Sequence, residues 1–431
     1  MRHYLQLTTL SPLHIGSGED FVPTAYIIDG DTLYEFDETD FFHALSAAQK
    51  RAFENMAGQG LYALKRFYDI EKDLAKSIAY RKLPVSREIS KIYTRQFNKD
   101  GTLNKNLLEI SKTMTMPGSF LSYIPGSSIK GVFGTALGIY PGRVGNDVRQ
   151  NLLVEDFFPT QADVTFCDVA ERRHKFKDAP GRGIPIKIEI IKEGVSFFGS
   201  ILSERRGESK QLFSIEDIAR SLERFDMQAD EKMFAKYKRR ADALGADFLF
   251  RVGRFAGKNF TSVNPDKIPV THTVIASKEG GYTPFGWVAA KILDEEGYRE
   301  ASAEYERVLR ELIKKRTAYA KEWRESRIQK EKERNEKELK MRREEEEKAE
   351  RKRAEAQRLA SLSPVERLIE TVEIPELIRK MQNGEIENYE SIKVELAQKI
   401  KAKLLENPKT WEKAKQKALK RRVFIESILG E

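Results

Sequence analysis

Residues 124–137 read IPGSSIKGVFGTAL, and the spacing within this stretch decides how the rest of the chain is read. Ile129, Val132, Phe133, Ala136 and Leu137 recur at the i, i+3, i+4, i+7, i+8 intervals that give a helix one apolar face. Pro125 and Gly126 break the chain just before it, and Ser127 or Ser128 is placed to cap the first free amides. Away from the apolar stripe fall Lys130, Gly131, Gly134, Thr135 and Gly138. Glycine inside a helix costs about 1 kcal/mol relative to alanine, and a lysine in the first turn meets the positive end of the dipole. A phosphate at that end accounts for both oddities. Close approach of another segment to the glycines, with Lys130 in solvent, is the competing reading.

Upstream, Leu5 and Leu7 alternate as in a half-buried strand, and SPLHIGSG (Ser11 to Gly18) follows as a turn rich in glycine and hydroxyls. Its amides and His14 can meet phosphate or ribose; a plain strand-ending loop is the alternative. Ala25 to Ile28 and Thr32 to Phe36 flank Asp29-Gly30-Asp31, a hairpin signal. A helical stretch, Thr39 to Met56, comes next, then a second at Leu61 to Ile78, and Tyr80 to Lys112 is polar and basic, with Arg81 among its cations. Strand, loop, hairpin and helix in this order indicate an α+β domain.

Downstream, DVTFCDV (Asp163 to Val169) alternates as a strand, and Ile186 to Ile191 with Val195 to Ile201 reads as a hairpin around Glu193-Gly194. Between them a basic loop, Glu171 to Gly183, carries Arg172, Arg173, Lys175 and Phe176, suited to an RNA backbone and one base. Leu212 to Leu244 is helical and charged. FLFRVGRFAGKNFTSV (Phe248 to Val263) then delivers Arg251, Gly253, Arg254, Gly257 and Lys258 to one loop with Phe255 and Phe260 interleaved, the mixture of cations and rings that single-strand binders use. It is not a phosphate loop of the Walker type, because three residues separate the glycines and Asn259 stands where Ser or Thr is required. Thr271 to Ala276 and Gly286 to Leu293 read as a last strand pair.

From Glu296 the composition changes. Lys, Arg and Glu alternate from Lys314 to Arg358 with pairs such as Glu333 and Lys337 at i, i+4. A solitary solvated helix follows, on the order of 60 Å long at 1.5 Å per residue. Ser363-Pro364-Val365-Glu366 is a capping box that opens a small helical module. Leu368, Ile369, Leu377, Ile378, Leu396, Ile400, Leu404, Trp411, Phe424 and Ile428 form its expected core.

With 431 residues and 33% charged side chains, the chain holds two to three domains, and its net charge of +9 suits a polyanionic partner. The single cysteine, Cys167, excludes a disulfide framework and a cysteine-built zinc site. A cytoplasmic setting is the default, and no run of about 18 apolar residues suggests a membrane span. No metal or cofactor motif is present, so none is expected. Asp29, His14 and His174 are the only candidates for RNA cleavage by a general base.

Taken together, PLHIGSG, IPGSSIKG, the FCDV then KIEIIKEGVSFFGSI pattern, the loop from Arg251 to Lys258 and PFGWV (Pro284 to Val288) resemble the RAMP proteins of CRISPR effector complexes in order and spacing, over most of residues 1–295. Within that superfamily the likeness is greatest to the filament-capping Csm subunit of type III-A complexes. The resemblance implies a ferredoxin-like (RRM-like) core over 1–295 with helical insertions at about 57–115 and 204–247, followed by the charged helix (296–360) and the all-α module (361–431). It also implies binding of the 3′ part of a CRISPR RNA, support of guide maturation and of target RNA binding, and contact with other Csm subunits, above all the backbone subunit. The RNA contacts it implies fall on His14, Gly16, Ser17, Gly126, Ser127, Ser128, Lys130, Arg251, Gly253 and Lys258, to which the residue reading adds Gly131, Arg172, Arg173, Lys175, Phe176, Arg254, Gly257 and Phe260. Relatives that cut RNA use an aspartate near the position of Asp29; here it lies in a tight hairpin, so the expectation is a non-catalytic subunit, with a RAMP backbone subunit or a ribonuclease cleaving target or precursor RNA as the alternative.

Overall fold

The computed structural model describes residues 2–96, 108–139, 152–174, 185–203, 213–260, 271–276, 281–406, 411 and 416–431. In chain order the first strands are β1 (Arg2–Thr9), β2 (Gly16–Phe21), β3 (Tyr26–Asp29) and β4 (Thr32–Glu35). The helices α1 (Glu38–Ala44), α2 (Ala47–Ala57), α3 (Leu61–Ile70) and α4 (Lys72–Ile78) follow. Then come β5 (Arg81–Pro84), α5 (Arg87–Thr94), β6 (Ile110–Thr113) and α6 (Gly126–Ala136). The middle of the chain forms β7 (Leu152–Val154), β8 (Phe158–Pro159), β9 (Thr165–His174), β10 (Ile186–Ile191), β11 (Ser196–Ser203), α7 (Ile215–Ala229) and α8 (Glu231–Ala243). It closes with β12 (Phe248–Arg251), β13 (Thr271–Ala276), β14 (Tyr282–Pro284), β15 (Trp287–Leu293) and the helices α9 (Glu295–Ser361), α10 (Pro364–Thr371), α11 (Ile374–Gln382), α12 (Tyr389–Leu405) and α13 (Lys417–Leu429). Mixed α+β architecture is thus observed.

The chain divides into two compact units, Met1–Arg327 and Ile328–Glu431. In the first, one sheet runs β12-β15-β1-β11-β7 with β8 also on β11; a second runs β14-β13-β9-β10-β6-β2; and β3-β4-β5 form a third. β1 is antiparallel to both β11 and β15. Its Leu5 and Leu7 point to one face, where Ile129 and Phe133 of α6 and Ile215, Ile218 and Leu222 of α7 complete a core with Phe197, Phe248 and Phe250. On the other face, Tyr4 stacks on Tyr298 of α9 at 4.3 Å, and Phe158 on Tyr305 at 5.1 Å.

The chain crosses between the two large sheets at one seam. β1 passes to β2 through residues 10–15, and β10 passes to β11 through residues 192–195, with Leu13 bridged to Ile191 and Gly194 N–H donating to Thr9 O. The expected hairpin around Gly194 is therefore a crossing: the turn exists, with φ +80° at Gly194, but its two strands diverge into different sheets. Likewise β13 pairs with β14 and β9, while β15 pairs with β1 and β12, so the expected last strand pair does not form. Two long helical stretches are each broken where a side chain caps a new start. Ser46 makes a capping box with Gln49, and Asp230 accepts from Met233 N–H. Arg81, one of the cations of the polar, basic stretch from Tyr80 to Lys112, is buried and paired with Glu189 and, at 3.7 Å, with Glu35, which Lys112 also contacts at 2.6 Å.

In the second unit Val365, Leu377, Ile378, Met381, Leu396, Ile400, Trp411 and Ile425 are buried together, with Leu368, Ile369, Leu404, Phe424 and Ile428 partly buried around them. Ser363 and Glu366 form the capping box that starts α10.

Candidate nucleic-acid interface

Two of the glycine-bearing loops singled out in the sequence meet at the sheet seam. Gly253 takes φ +101°, and a Cβ there would stand 2.8 Å from both His14 O and Leu13 Cδ1, so only glycine permits the contact. Arg254 N–H donates to His14 O at 2.9 Å, and Gly286 N–H donates to Pro12 O at 2.9 Å. PLHIG, VGR and FGW are thereby one backbone unit. His14 is buried beneath it, its Nδ1 2.7 Å from Glu189 O and its ring 5.3 Å from that of Phe255. Because a carbonyl only accepts, Nδ1 carries the proton. Burial, opposed by this hydrogen bond and assisted by Arg254, lowers the pKa of His14, so the ring is neutral. Gly16 and Ser17 lie half-buried beside it, with Ser17 Oγ donating to Lys112 O, and Arg254 and Lys258 are exposed. Gly257 has φ +109° and starts the single turn Lys258–Phe260.

Arg251 and Phe260 do not join this surface. Arg251 is 2% exposed, donates from Nε to Phe285 O at 3.0 Å, and lies 4.1 Å from the Phe260 ring and 5.2 Å from that of Trp287. Its backbone N–H donates to Asp226 Oδ2 at 3.0 Å. Burial lowers its pKa to about 10 against the pull of Asp226. Phe260, itself buried, shelters a cation and is no free platform for a base. Both faces of β12 are covered: Phe248 and Phe250 face the core with α6 and α7, and Leu249 and Arg251 face the other side, where Phe260 and Trp287 lie.

The start of α6 corrects another expectation. Neither Ser127 nor Ser128 caps it: the N-cap is Pro125, and Gly126 N–H donates to Asp156 Oδ1 at 2.7 Å. One helix-end amide thus already holds a carboxylate of the same chain. Gly126 is a packing glycine, since a Cβ there would lie 2.7 Å from Glu155 O and closer still to Val154 O. At the other end Gly138 (φ +69°) closes a Schellman turn, with Ile139 N–H on Gly134 O and Gly138 N–H on Thr135 O. Between them the helix presents Ser127, Lys130 and Gly131, and a Cβ at Gly131 would meet nothing within 4 Å. The glycines expected on one face therefore differ: Gly134 is buried, with Ile139 O 3.5 Å from a Cβ built there, Gly138 serves the turn by its positive φ, and Gly131 has open space beside it at an ordinary helical conformation.

Arg172 and Arg173 lie on β9, not in a loop. Arg172 is exposed, whereas Arg173 is buried against the Tyr282 ring at 3.5 Å and paired with Glu171 at 3.1 Å. Lys175 and Phe176 fall outside the described residues. Asp29 ends β3 and is paired with Lys76 at 2.7 Å and Lys72 at 3.2 Å; the Lys76 contact, with Lys72 behind it, lowers its pKa. A carboxylate held in that way is a poor proton acceptor. Among the described residues, no cluster of His, Cys, Asp and Glu suits a metal ion, and no helix is long and apolar enough to cross a membrane. Sequence reasoning missed Asp156 and Glu189, whose roles depend on contacts no local pattern reports.

The RAMP superfamily's sequence model matches residues 6–424. The chain belongs to the RAMP superfamily. Among solved structures this RAMP chain is similar to T. onnurineus Csm5, at 15% identity and a TM-score of 0.43 over 66% of this chain and 99% of that one. It is also similar to a chain of a Csm–crRNA–target RNA ternary complex from a type III-A CRISPR-Cas system, at 16% identity and a TM-score of 0.40 over 68% of this chain and 100% of that one. No curated protein matches it.

Proposed function

We propose that this RAMP chain is the CRISPR RNA-binding subunit that caps the backbone filament of a type III-A Csm complex, at the 3′ part of the guide. In this role it supports guide maturation and target RNA binding without cutting RNA itself. The observation that carries the reading is the union of the PLHIG and VGR loops by the Arg254 to His14 hydrogen bond, which puts an exposed cation beside a glycine-lined backbone in a chain of this family. Such a surface suits the ribose-phosphate chain, which supplies affinity without sequence preference. The strand run β15-β1-β11-β7 with α6 and α7 on one face supports reading the core as ferredoxin-like. The pairing of Asp29 with two lysines favours a non-catalytic role. Partners in this reading are CRISPR RNA, target RNA and neighbouring Csm subunits, the backbone subunit first.

The test is guide-RNA binding by the Lys130→Gln/Arg254→Gln variant across a salt series. Affinity should fall for every RNA sequence, and the log–log salt slope should flatten by about 1.4, at about 0.7 per phosphate contact on a single strand. Unchanged affinity and slope would remove this surface from the interface.

A further inference from the structure

His14 presents a buried hydrogen-bond acceptor that the protein does not use. With Nδ1–H committed to Glu189 O, the neutral ring has a lone pair at Nε2, and that atom is buried with no hydrogen-bond partner. Buried polar atoms in native proteins almost always have one. A Cβ built on Gly16 would stand 3.4 Å from Nε2, and its next neighbours would be Cδ and Nη1 of Arg254 at 3.5 and 3.6 Å. Nε2 is thus covered by the bare backbone of Gly16 and the side chain of Arg254, and a ligand group reaches it where the exposed Arg254 side chain swings aside. A group that fits must donate a hydrogen bond to Nε2 and carry an anion for Arg254 a few ångströms away. A ribose 2′-hydroxyl with its adjoining phosphate does both. The deoxyribose of DNA lacks the donor.

We infer that His14 Nε2 accepts the 2′-hydroxyl of a bound ribonucleotide while Arg254 holds its phosphate, so that this seam tells RNA from DNA. The inference rests on the RNA-binding reading above. It makes His14 a specificity-determining residue and gives Gly16 a reason beyond its turn. Glu189 positions the ring through its carbonyl, and Arg81 holds Glu189 through its carboxylate.

The experiment uses the full chain and three fluorescein-labelled single-stranded oligonucleotides of one sequence: RNA, its 2′-deoxy form and its 2′-O-methyl form. RNA should bind about tenfold more tightly than either of the others, as one hydrogen bond to a buried acceptor predicts. The 2′-O-methyl strand decides the mechanism, because it keeps an RNA-like sugar but cannot donate. Equal binding of RNA and 2′-O-methyl RNA overturns the inference, and so does equal binding of RNA and DNA, while both outcomes leave RNA binding itself intact. Failure of all three strands to bind overturns the RNA-binding reading as well. His14→Phe, which keeps a ring against Phe255, and Gly16→Ala, which sets a methyl 3.4 Å from Nε2 while leaving His14 in place, should each bring RNA down to the DNA level without changing the salt slope. Retained discrimination in the folded Gly16→Ala variant would also overturn the inference.

Discussion

The amide of Arg254 donates to the carbonyl of His14 at 2.9 Å, and this one bond fastens a loop near the start of the chain to another beyond α8. The glycine before Arg254 makes it possible. Gly253→Ala forces a side chain into φ +101° with its Cβ 2.8 Å from His14 O. Backbone strain of this kind costs about 1–3 kcal/mol. We expect a lower Tm and weaker RNA binding together, both read on the same preparation. A Gly253→Ala protein with wild-type Tm would mean that the loops are not joined as described.

Glycines on α6 should separate into packing and open positions. Gly126→Ala drives a Cβ against Val154 O and Glu155 O and should destabilise the fold. Gly131→Ala meets nothing within 4 Å and should stabilise the helix by up to about 1 kcal/mol. If RNA runs along this face, the stabilised Gly131→Ala chain should nevertheless bind it less well. Unimpaired binding by that variant would remove α6 from the interface.

How far the sequence could carry this reading is plain from the same helix. The apolar stripe Ile129, Val132 and Phe133 and the seam glycine Gly253 follow rules of spacing and φ that act locally, so they are legible. Asp156, which takes the first amide of α6, and Glu189, which holds His14, act across long sequence separations, and no local pattern reports them. Arg251 and Arg254 differ by three positions, and both read as phosphate contacts. Arg251 ends a strand covered on both faces and turns to Phe285 O, whereas Arg254 lies past the turn at Gly253 and is exposed. The crossing at Gly194 has the sequence of a hairpin for a similar reason: its turn chemistry is local, whereas the sheet each strand joins is decided by partners elsewhere.

Arg251 accordingly belongs to stability. Arg251→Gln leaves Asp226, whose pKa burial raises to about 8, without the cation that opposes that rise. The variant also removes the guanidinium that donates to Phe285 O, and leaving a buried polar partner unsatisfied costs about 1–3 kcal/mol. Denaturant unfolding should show a loss of this order. The salt slope of RNA binding, measured on the folded fraction, should stay at the wild-type value. A flattened slope would return Arg251 to the interface.

Lys65 on α3 is fully buried, with Nζ donating to Tyr26 O at 2.6 Å and the rings of Tyr26 and Tyr93 at 4.5 and 4.8 Å. Burial, opposed by Asp69, lowers its pKa to about 7, below the value of about 10.4 expected in the unfolded chain. Between these values the unfolded state binds the extra proton. Its contribution to stability therefore rises with pH, at up to about 1.4 kcal/mol per unit, and is lowest below the folded pKa. Lys65→Met should be more stable than wild type near neutrality, with the advantage shrinking by pH 9. Parallel denaturation curves for the two proteins at both pH values would show that the amine is already solvated.

The first turns of α9 are held to the first unit by specific contacts, which makes the position of a truncation decisive. Tyr298 stacks on Tyr4 and Tyr305 on Phe158, and such pairs are worth about 0.5–1.5 kcal/mol each beyond area burial. Further along, Arg316 donates to Gly118 O, Tyr319 donates to Ser77 O at 2.7 Å and Trp323 packs against the buried cluster that holds Phe41, Phe67 and Tyr68. A chain ending at Arg327 keeps all of them. One ending at Asp294 uncovers Tyr4, Phe158 and Phe198 on the outer face of the first sheet, and an aromatic patch of that kind promotes association. We expect the Arg327 truncation to match the full chain in Tm of the first unit and to stay monomeric. The Asp294 truncation should melt several degrees lower and self-associate in light scattering. Should both truncations melt and scatter alike, residues 295–327 are a spacer that happens to touch the sheet, and the outer face needs no cover.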